Sequence, residues 1–262
     1  MKYGFIGCGN MGGAIVRAMR KGTTSIAVSD RSGKARAFAR ELDISYVDNE
    51  TIAKTCDRIF LAVKPHLMAG CLQLLQPILA ARRPMLITMA AGLTMAQVRQ
   101  FAGAVLPVIR IMPNTPTAIG KGVIPYCCCD VEQDVLRDWL ADMAFCGLLD
   151  SLDEHLMDAA GALSGSGPAY LCVLLEAMAD GAVACGLPRA KALEYAAATM
   201  AGTAEMYLHT HQHPEAMKDA VCSPGGSTIA GLRKLEAGGF RSAAMECVIA
   251  AHQRNLELGR KG

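Results

Sequence analysis

The chain has 262 residues, 52% hydrophobic and 19% charged, with a formal net charge of +2. That balance excludes a disordered chain, and it offers no basic excess to attract nucleic acid. Its eleven cysteines are odd in number, form no C-x-x-C pair and include the run Cys127-Cys128-Cys129, so neither a disulfide framework nor a metal site is expected; reduced thiols in the cytoplasm are.

The N-terminus enters an apolar run at Met1-Lys2-Tyr3-Gly4, without a signal-peptide layout. Residues 3–6 read as a short buried strand and are followed by Gly7-Cys8-Gly9-Asn10-Met11-Gly12, a complete G-x-G-x-x-G. Helical sequence at 13–21 and a β-like run at 25–29 come next, and the run ends at Asp30. Strand, glycine turn, helix and strand in this order are the context of a dinucleotide fingerprint, in which the glycines let the backbone approach a pyrophosphate seated on the helix N-terminus. Asp30 suits the free ribose of NADH, whereas Arg31 and Ser32, joined by Asn49, suit the 2′-phosphate of NADPH. NADPH is the expectation and NADH the alternative.

Further strands are expected at 58–63, 85–89 and 106–112, with helices at 34–42, 51–56, 66–80 and 94–101. The strands close on Lys64-Pro65, on Ala90-Ala91-Gly92 and on Pro113-Asn114-Thr115-Pro116, and in an open α/β sheet those ends form the ligand crevice. Lys64 reads either as a phosphate or ribose contact or as a solvated loop lysine. Met11, Met89, Met95 and Met112 read as core fillers.

From Ser151 onward the pattern is helical, at 154–163, 168–185, 189–208, 214–221, 228–235 and 241–258, with Pro168, Pro188 and Pro214 where helices begin. Two domains are therefore expected, 1–152 and 153–262. The run Ser164-Gly165-Ser166-Gly167-Pro168 reads as a break that argues against a membrane span. Residues 168–185 are apolar nearly all round, which calls for a second subunit or for burial within the chain. His209, His211 and His213 read as a solvated helix end rather than a metal site.

The stretch Val221-Cys222-Ser223-Pro224-Gly225-Gly226-Ser227-Thr228 holds a proline, two glycines and three hydroxyls. Ser227 or Thr228 is expected to cap the following helix, whose N-terminus would then favour a small carboxylate or phosphate. An ordinary capped turn between helices is the other reading. Apart from the Cys222 thiol nothing in the stretch ionises, and Lys191 and Lys218 lie in ordinary helices. Such a site orients a substrate rather than donating a strong acid's proton. This favours an imine, far more basic than a ketone, on a molecule that carries a carboxylate.

The glycine turn, Ala62-Val63-Lys64-Pro65, Asn114-Thr115-Pro116, residues 163–170 (LSGSGPAY), Ser223 to Thr228 and the ending 235–241 (LEAGGFR) occur in this order. With them the chain closely resembles the pyrroline-5-carboxylate reductase family from first residue to last. The resemblance implies an α/β N-terminal Rossmann domain plus an all-α C-terminal dimerisation domain, and a homodimer that family members often build into rings. It also implies reduction of 1-pyrroline-5-carboxylate, a cyclic imino acid, to L-proline by NAD(P)H, without a nucleic-acid or membrane partner. Cofactor contacts carried over are Ile6, Gly7, Cys8, Gly9, Asn10, Met11, Gly12, Asp30, Arg31, Ser32, Asn49, Ala62, Val63, Lys64, Pro65, Met89, Ala90, Ala91, Gly92 and Asn114. Ser223, Gly226, Ser227 and Thr228 would hold the substrate carboxylate, and Thr228 the ring nitrogen. His211 stands where family members often carry a small or acidic residue. Two rival readings are a β-hydroxyacid dehydrogenase, which would need a lysine that 168–186 lacks, and a non-catalytic dinucleotide sensor.

Overall fold

The computed structural model describes residues 1–23, 25–31 and 33–259. They form two compact units: residues 1–168 together with the stretch from Ala250 onward, and residues 169–249.

The first unit alternates strand and helix: β1 (Tyr3–Ile6), α1 (Asn10–Met19), β2 (Ile26–Ser29), α2 (Gly33–Glu41), β3 (Ser45–Tyr46), α3 (Asn49–Thr55), β4 (Arg58–Leu61), α4 (Pro65–Gln73), α5 (Gln76–Arg82), β5 (Met85–Thr88), α6 (Met95–Ala102) and β6 (Val108–Ile111). β7 (Gly122–Cys129), α7 (Gln133–Met143) and β8 (Gly147–Ser151) follow. The sheet order is β3-β2-β1-β4-β5-β6-β7-β8, with all neighbours parallel except β6 and β7. The central strands β1, β2, β4, β5 and β6 are buried at every position, as expected of parallel strands covered on both faces. Their alternation feeds two cores. Ile6, Ile59, Leu61 and Leu86 pack with Met68, Leu72 and Val98 on one face. Phe5, Val28, Phe60 and Ile87 pack with Ile15, Met19 and Trp139 on the other. Phe5 and Phe60, cross-strand partners, stack with ring centroids 4.3 Å apart.

Three differences from the sequence reading have local causes. The helix expected over 66–80 is two, α4 and α5, because Pro77 lacks an N–H and its ring would clash with the carbonyl four residues back. β7 was not anticipated: Pro125 argues against a strand, and three successive cysteines carry no alternation to read. Folded, Cys127 is buried and Cys128 exposed, as the pleat dictates. The third difference lies at Ser164 to Pro168, which is no break. The helical path runs through a π-helical turn, Gly161–Gly165, into α9 (Gly167–Ala184). Ser166 N–H reaches Gly161 O at 3.2 Å, and Asn114 Nδ2 donates to the Ser164 carbonyl at 3.0 Å. Together with α8 (Met157–Ala160) and the 3₁₀ turn Glu154–Leu156, the path from Glu154 to Ala184 is long and apolar enough to cross a membrane.

The second unit is all helical: most of α9, then α10 (Arg189–Thr210), α11 (Pro214–Ala220), α12 (Ser227–Ala237) and α13 (Phe240–Gly259) up to Ile249. Tyr170 Oη donates to Cys247 O at 3.1 Å and ties α9 to α13. Within one chain α9 buries only Ala179, while Leu171, Val173 and Met178 are 54%, 68% and 45% exposed. Its own helical unit therefore leaves this helix largely uncovered. His211 ends α10 with φ +50°, and His213 Nδ1 accepts the Glu215 N–H at 3.3 Å as the cap of α11. Among the described residues no group of three metal-ligating side chains occurs.

Candidate functional site

The first set of candidate residues gathers at the carboxyl ends of β1, β2, β4 and β5. Gly7 has φ +97°, and a Cβ there would meet the Ala62 carbonyl oxygen at 2.6 Å. A Cβ on Gly12 would meet Gly7 O at 2.8 Å and Ala62 Cβ at 3.0 Å, so this glycine lets α1 lie against β4. A Cβ on Gly9 would meet nothing within 4 Å. The folded chain therefore leaves open space over Gly9, and the backbone there is accessible. Gly9 is also the N-cap of α1, with extended backbone, no side-chain cap and no acid in the first turn formed by Asn10, Met11 and Gly12. The N–H groups there are open to an anion. Ala62 N–H bonds Ile6 O at 2.9 Å, bringing Ala62, Val63 and Lys64 beside the turn. Lys64, exposed, is the N-cap of α4 ahead of Pro65 and likewise leaves that helix without a side-chain cap.

Asp30 is engaged within the chain itself. Its Oδ2 accepts the Cys8 N–H at 2.7 Å, and its carbonyl accepts Tyr46 Oη at 2.7 Å. Burial, and then the Asp30 charge, push the Cys8 thiol up to about 11. Asn49 opens α3, where its Oδ1 accepts Ser29 Oγ at 2.6 Å and its amide nitrogen faces Cys71 Sγ at 3.7 Å. The Arg31 guanidinium acts on the same Cys71, opposing the rise that burial imposes. Ser32 lies outside the described residues.

A cleft of about 400 Å³ beside the turn is lined by Cys8, Gly9, Asn10, Arg17, Lys34 and Phe38, among others. Arg17 pairs with Glu41 at 2.8 Å and lies over the Phe38 ring at 5.2 Å. The sequence reading missed Arg17 and Lys34. Their only signal is the placement of basic residues early in α2 and on the facing turn of α1.

Met89, Ala90, Ala91 and Gly92 form the loop after β5, with φ +75° at Gly92. Asn114 is 6% exposed and engaged at both ends, donating to Ser164 O and accepting the Val123 N–H at 2.9 Å. Its amide stitches backbone to backbone. Met95 is fully within one core, and Met11, Met89 and Met112 are half-buried against the sheet cores.

The second set lies in the helical unit. Gly226 N–H bonds Ser223 O at 3.0 Å, closing a turn with Pro224 second and Gly225, φ +69°, third, the pattern of a type II turn. A Cβ on Gly226 would collide with Ser223 Oγ. The N-cap of α12 is Gly226, with φ −73° and ψ 172°, and not Ser227 or Thr228. The turn's final hydrogen bond places the extended residue at 226, so Ser227 and Thr228 are the first two helical residues. No side chain caps α12 and no acid occupies its first turn, leaving its N–H groups to a ligand. The hydroxyls of Ser223, Ser227 and Thr228 are exposed beside them.

A groove of about 570 Å³ runs along this turn, lined by Lys218, Gly225, Gly226, Ile229, Arg233 and Glu236, among others. Lys218 borders this groove, ion-paired with Glu215 at 3.3 Å and Asp219 at 3.4 Å, which raise its pKa.

Comparison with known proteins covers both units. Residues 154–258 match the family model described as pyrroline-5-carboxylate reductase dimerisation, and residues 2–92 match NADP oxidoreductase coenzyme F420-dependent. Pyrroline-5-carboxylate reductase of Synechocystis is 39% identical over 100% of this chain and 99% of its own length. The pea enzyme, from Pisum sativum, is 37% identical over 97% of this chain and 95% of its own. A crystal structure of the Plasmodium falciparum enzyme with NADP bound superposes with a TM-score of 0.90 at 30% identity, covering 99% of this chain and 98% of that one. With full-length likeness at this level, the chain belongs to the pyrroline-5-carboxylate reductase family.

Proposed function

We infer that this protein reduces 1-pyrroline-5-carboxylate to L-proline, the last step of proline biosynthesis, with NADPH as donor and NADH as a weaker alternative. The observation that carries the reading is the end-to-end likeness to pyrroline-5-carboxylate reductases. The cradle at Ser223 to Thr228 agrees with it chemically, offering an anion the uncapped end of α12 and exposed hydroxyls, with no strong acid.

Bound NADPH supplies the hydride that C5 of the imine accepts. The chain supplies binding and orientation. Residues 6–12 receive the pyrophosphate at the open end of α1. Arg31, Ser32 and Asn49 take the 2′-phosphate, while Asp30 sets the turn through Cys8. Ala62 to Pro65 and Met89 to Gly92 flank the remainder of the dinucleotide. Asn114 supports its surroundings by fixing Val123 and Ser164 rather than by direct contact. Ser223, Gly226, Ser227 and the N–H groups of α12 hold the substrate carboxylate. Thr228 hydrogen-bonds the ring nitrogen, and this suffices because the imine nitrogen is basic enough to bring its own proton.

The working form is a homodimer, and larger rings of dimers are proposed. The exposed apolar side chains of α9, about half uncovered, each gain about 1 kcal/mol when covered, and they fall within the segment that matches the dimerisation model. A second subunit, rather than a membrane, is proposed as the cover of the apolar path from Glu154 to Ala184. Eleven free thiols suit the reducing cytoplasm.

The test is NADPH absorbance after adding 1-pyrroline-5-carboxylate to purified protein, with NADH and a 2-keto acid alongside. Rapid oxidation with the imine alone is expected. Turnover with the keto acid and none with the imine would refute the reading.

A further inference from the structure

The loop after β5 does little to hold its own shape. Its internal hydrogen bonds are long: Ala90 N–H to Thr88 Oγ1 and Leu93 N–H to Ala90 O, both at 3.4 Å. Ala90 and Leu93 anchor it in one core and Met89 packs against the other, while Gly92, between them, is met by the end of the last helix. A Cβ on Gly92 would meet Gly259 N at 2.6 Å and Gly259 Cα at 2.9 Å, and a Cβ on Gly259 would meet Gly92 O at 2.6 Å. The two backbones are in direct contact, and neither position has room for a side chain.

One turn before Gly259, α13 is pinned to the same unit. Asn255 Nδ2 donates to Asp158 O at 3.1 Å, and the Asp158 carboxylate takes Arg110 Nη2 at 2.7 Å. The Arg110 side chain is 2% exposed, so this pair is fixed in the interior beneath the helix end. Glu154 Oε1 lies 3.6 Å from Arg110 Nη1 and accepts the Met95 N–H at 2.7 Å. The segment leaving β5 is therefore gripped twice, at Gly92 by α13 and at Met95 by Glu154.

We propose that the end of α13 is a clasp that positions the Met89–Gly92 loop, with Gly259 as the contact and Asn255 as its anchor. Cofactor affinity then depends on residues from the far end of the chain that never touch the cofactor. Gly259 and Asn255 are positioning residues in this scheme, and it rests on the reading of Met89 to Gly92 as cofactor-binding.

The test is Gly259→Val in the full-length protein. NADPH is titrated by its fluorescence without substrate, the KM for the imine is measured at saturating NADPH, and the mass is followed by light scattering. The Kd for NADPH should rise about tenfold, as the loss of about one well-placed contact does. The imine KM should stay within about twofold and the mass should be unchanged. Asn255→Ala, which removes the anchor and adds no bulk, should move NADPH affinity in the same direction by a smaller factor, and it decides the matter if Gly259→Val does not assemble. Unchanged NADPH affinity in the assembled variants overturns the clasp, as does an equal rise in NADPH Kd and imine KM. Wild-type protein that binds NADPH yet leaves the imine untouched refutes the proposed reaction and leaves the clasp standing.

Discussion

Asp30 Oδ2 accepts the backbone N–H of Cys8 at 2.7 Å. The acid at the end of the second strand thus braces the glycine turn, and its charge faces a main-chain donor. Asp30→Asn should therefore raise the KM for NADPH and for NADH together, by about three- to tenfold for one charge-assisted hydrogen bond weakened. A rise confined to NADH would mean that the carboxylate reads the ribose instead.

Arg31 lies close enough to Cys71 to act on its thiol, and Cys71 is the neighbour of Asn49. Arg31→Ala should raise the KM for NADPH by about tenfold or more and change that for NADH little, as loss of a phosphate partner does. Equal effects on the two cofactors would sink the 2′-phosphate role.

Gly9 and Gly7 separate binding from folding. A side chain at Gly9 meets nothing within 4 Å, so Gly9→Val should fold with near-normal Tm and lose NADPH binding. At Gly7, φ +97° and the Ala62 carbonyl at 2.6 Å forbid a side chain, so Gly7→Val should lower Tm or prevent folding. Calorimetry with NADPH titration distinguishes the two; normal titration by Gly9→Val would mean that the turn does not approach the pyrophosphate.

Thr228, the second residue of α12, has a hydroxyl beside free helix N–H groups. Thr228→Ala should lower kcat by roughly 10- to 100-fold with NADPH affinity kept, as expected when one proton-donating or orienting contact is lost. An unchanged kcat would remove Thr228 from the mechanism.

At the amino ends of β1 and β4, away from the candidate site, Arg58, then Lys2, hold the Asp138 carboxyl below the usual carboxylate range. A lowered folded pKa stabilises the fold above the unfolded value and ceases to as pH falls through the folded one, so the loss belongs below about pH 4. Asp138 is 52% exposed and the effect is accordingly small. Asp138→Asn should lower Tm slightly at pH 7, and the gap from wild type should narrow as pH falls below about 4; a gap that does not narrow would point to packing rather than charge.

The alternation from β1 to β6 apart from β3, the glycine turn and the proline–glycine turn before α12 were legible in the sequence because each is a local demand. A positive φ at Gly7 or Gly225 admits few residue types, and a buried parallel strand must be apolar on both faces. What the sequence did not disclose depends on groups far apart along the chain. Pairing of Asp30 with Cys8, the gathering of Arg17 and Lys34 at the turn, the Asn114 stitch and the contact of Gly92 with Gly259 all arise where separate elements meet. The N-cap at Gly226 was misread because caps are chosen by the geometry of the preceding turn and not by residue preference alone. Local periodicity and backbone freedom are written in neighbouring residues, whereas the partner of a polar group is settled only when the sheet and its helices close.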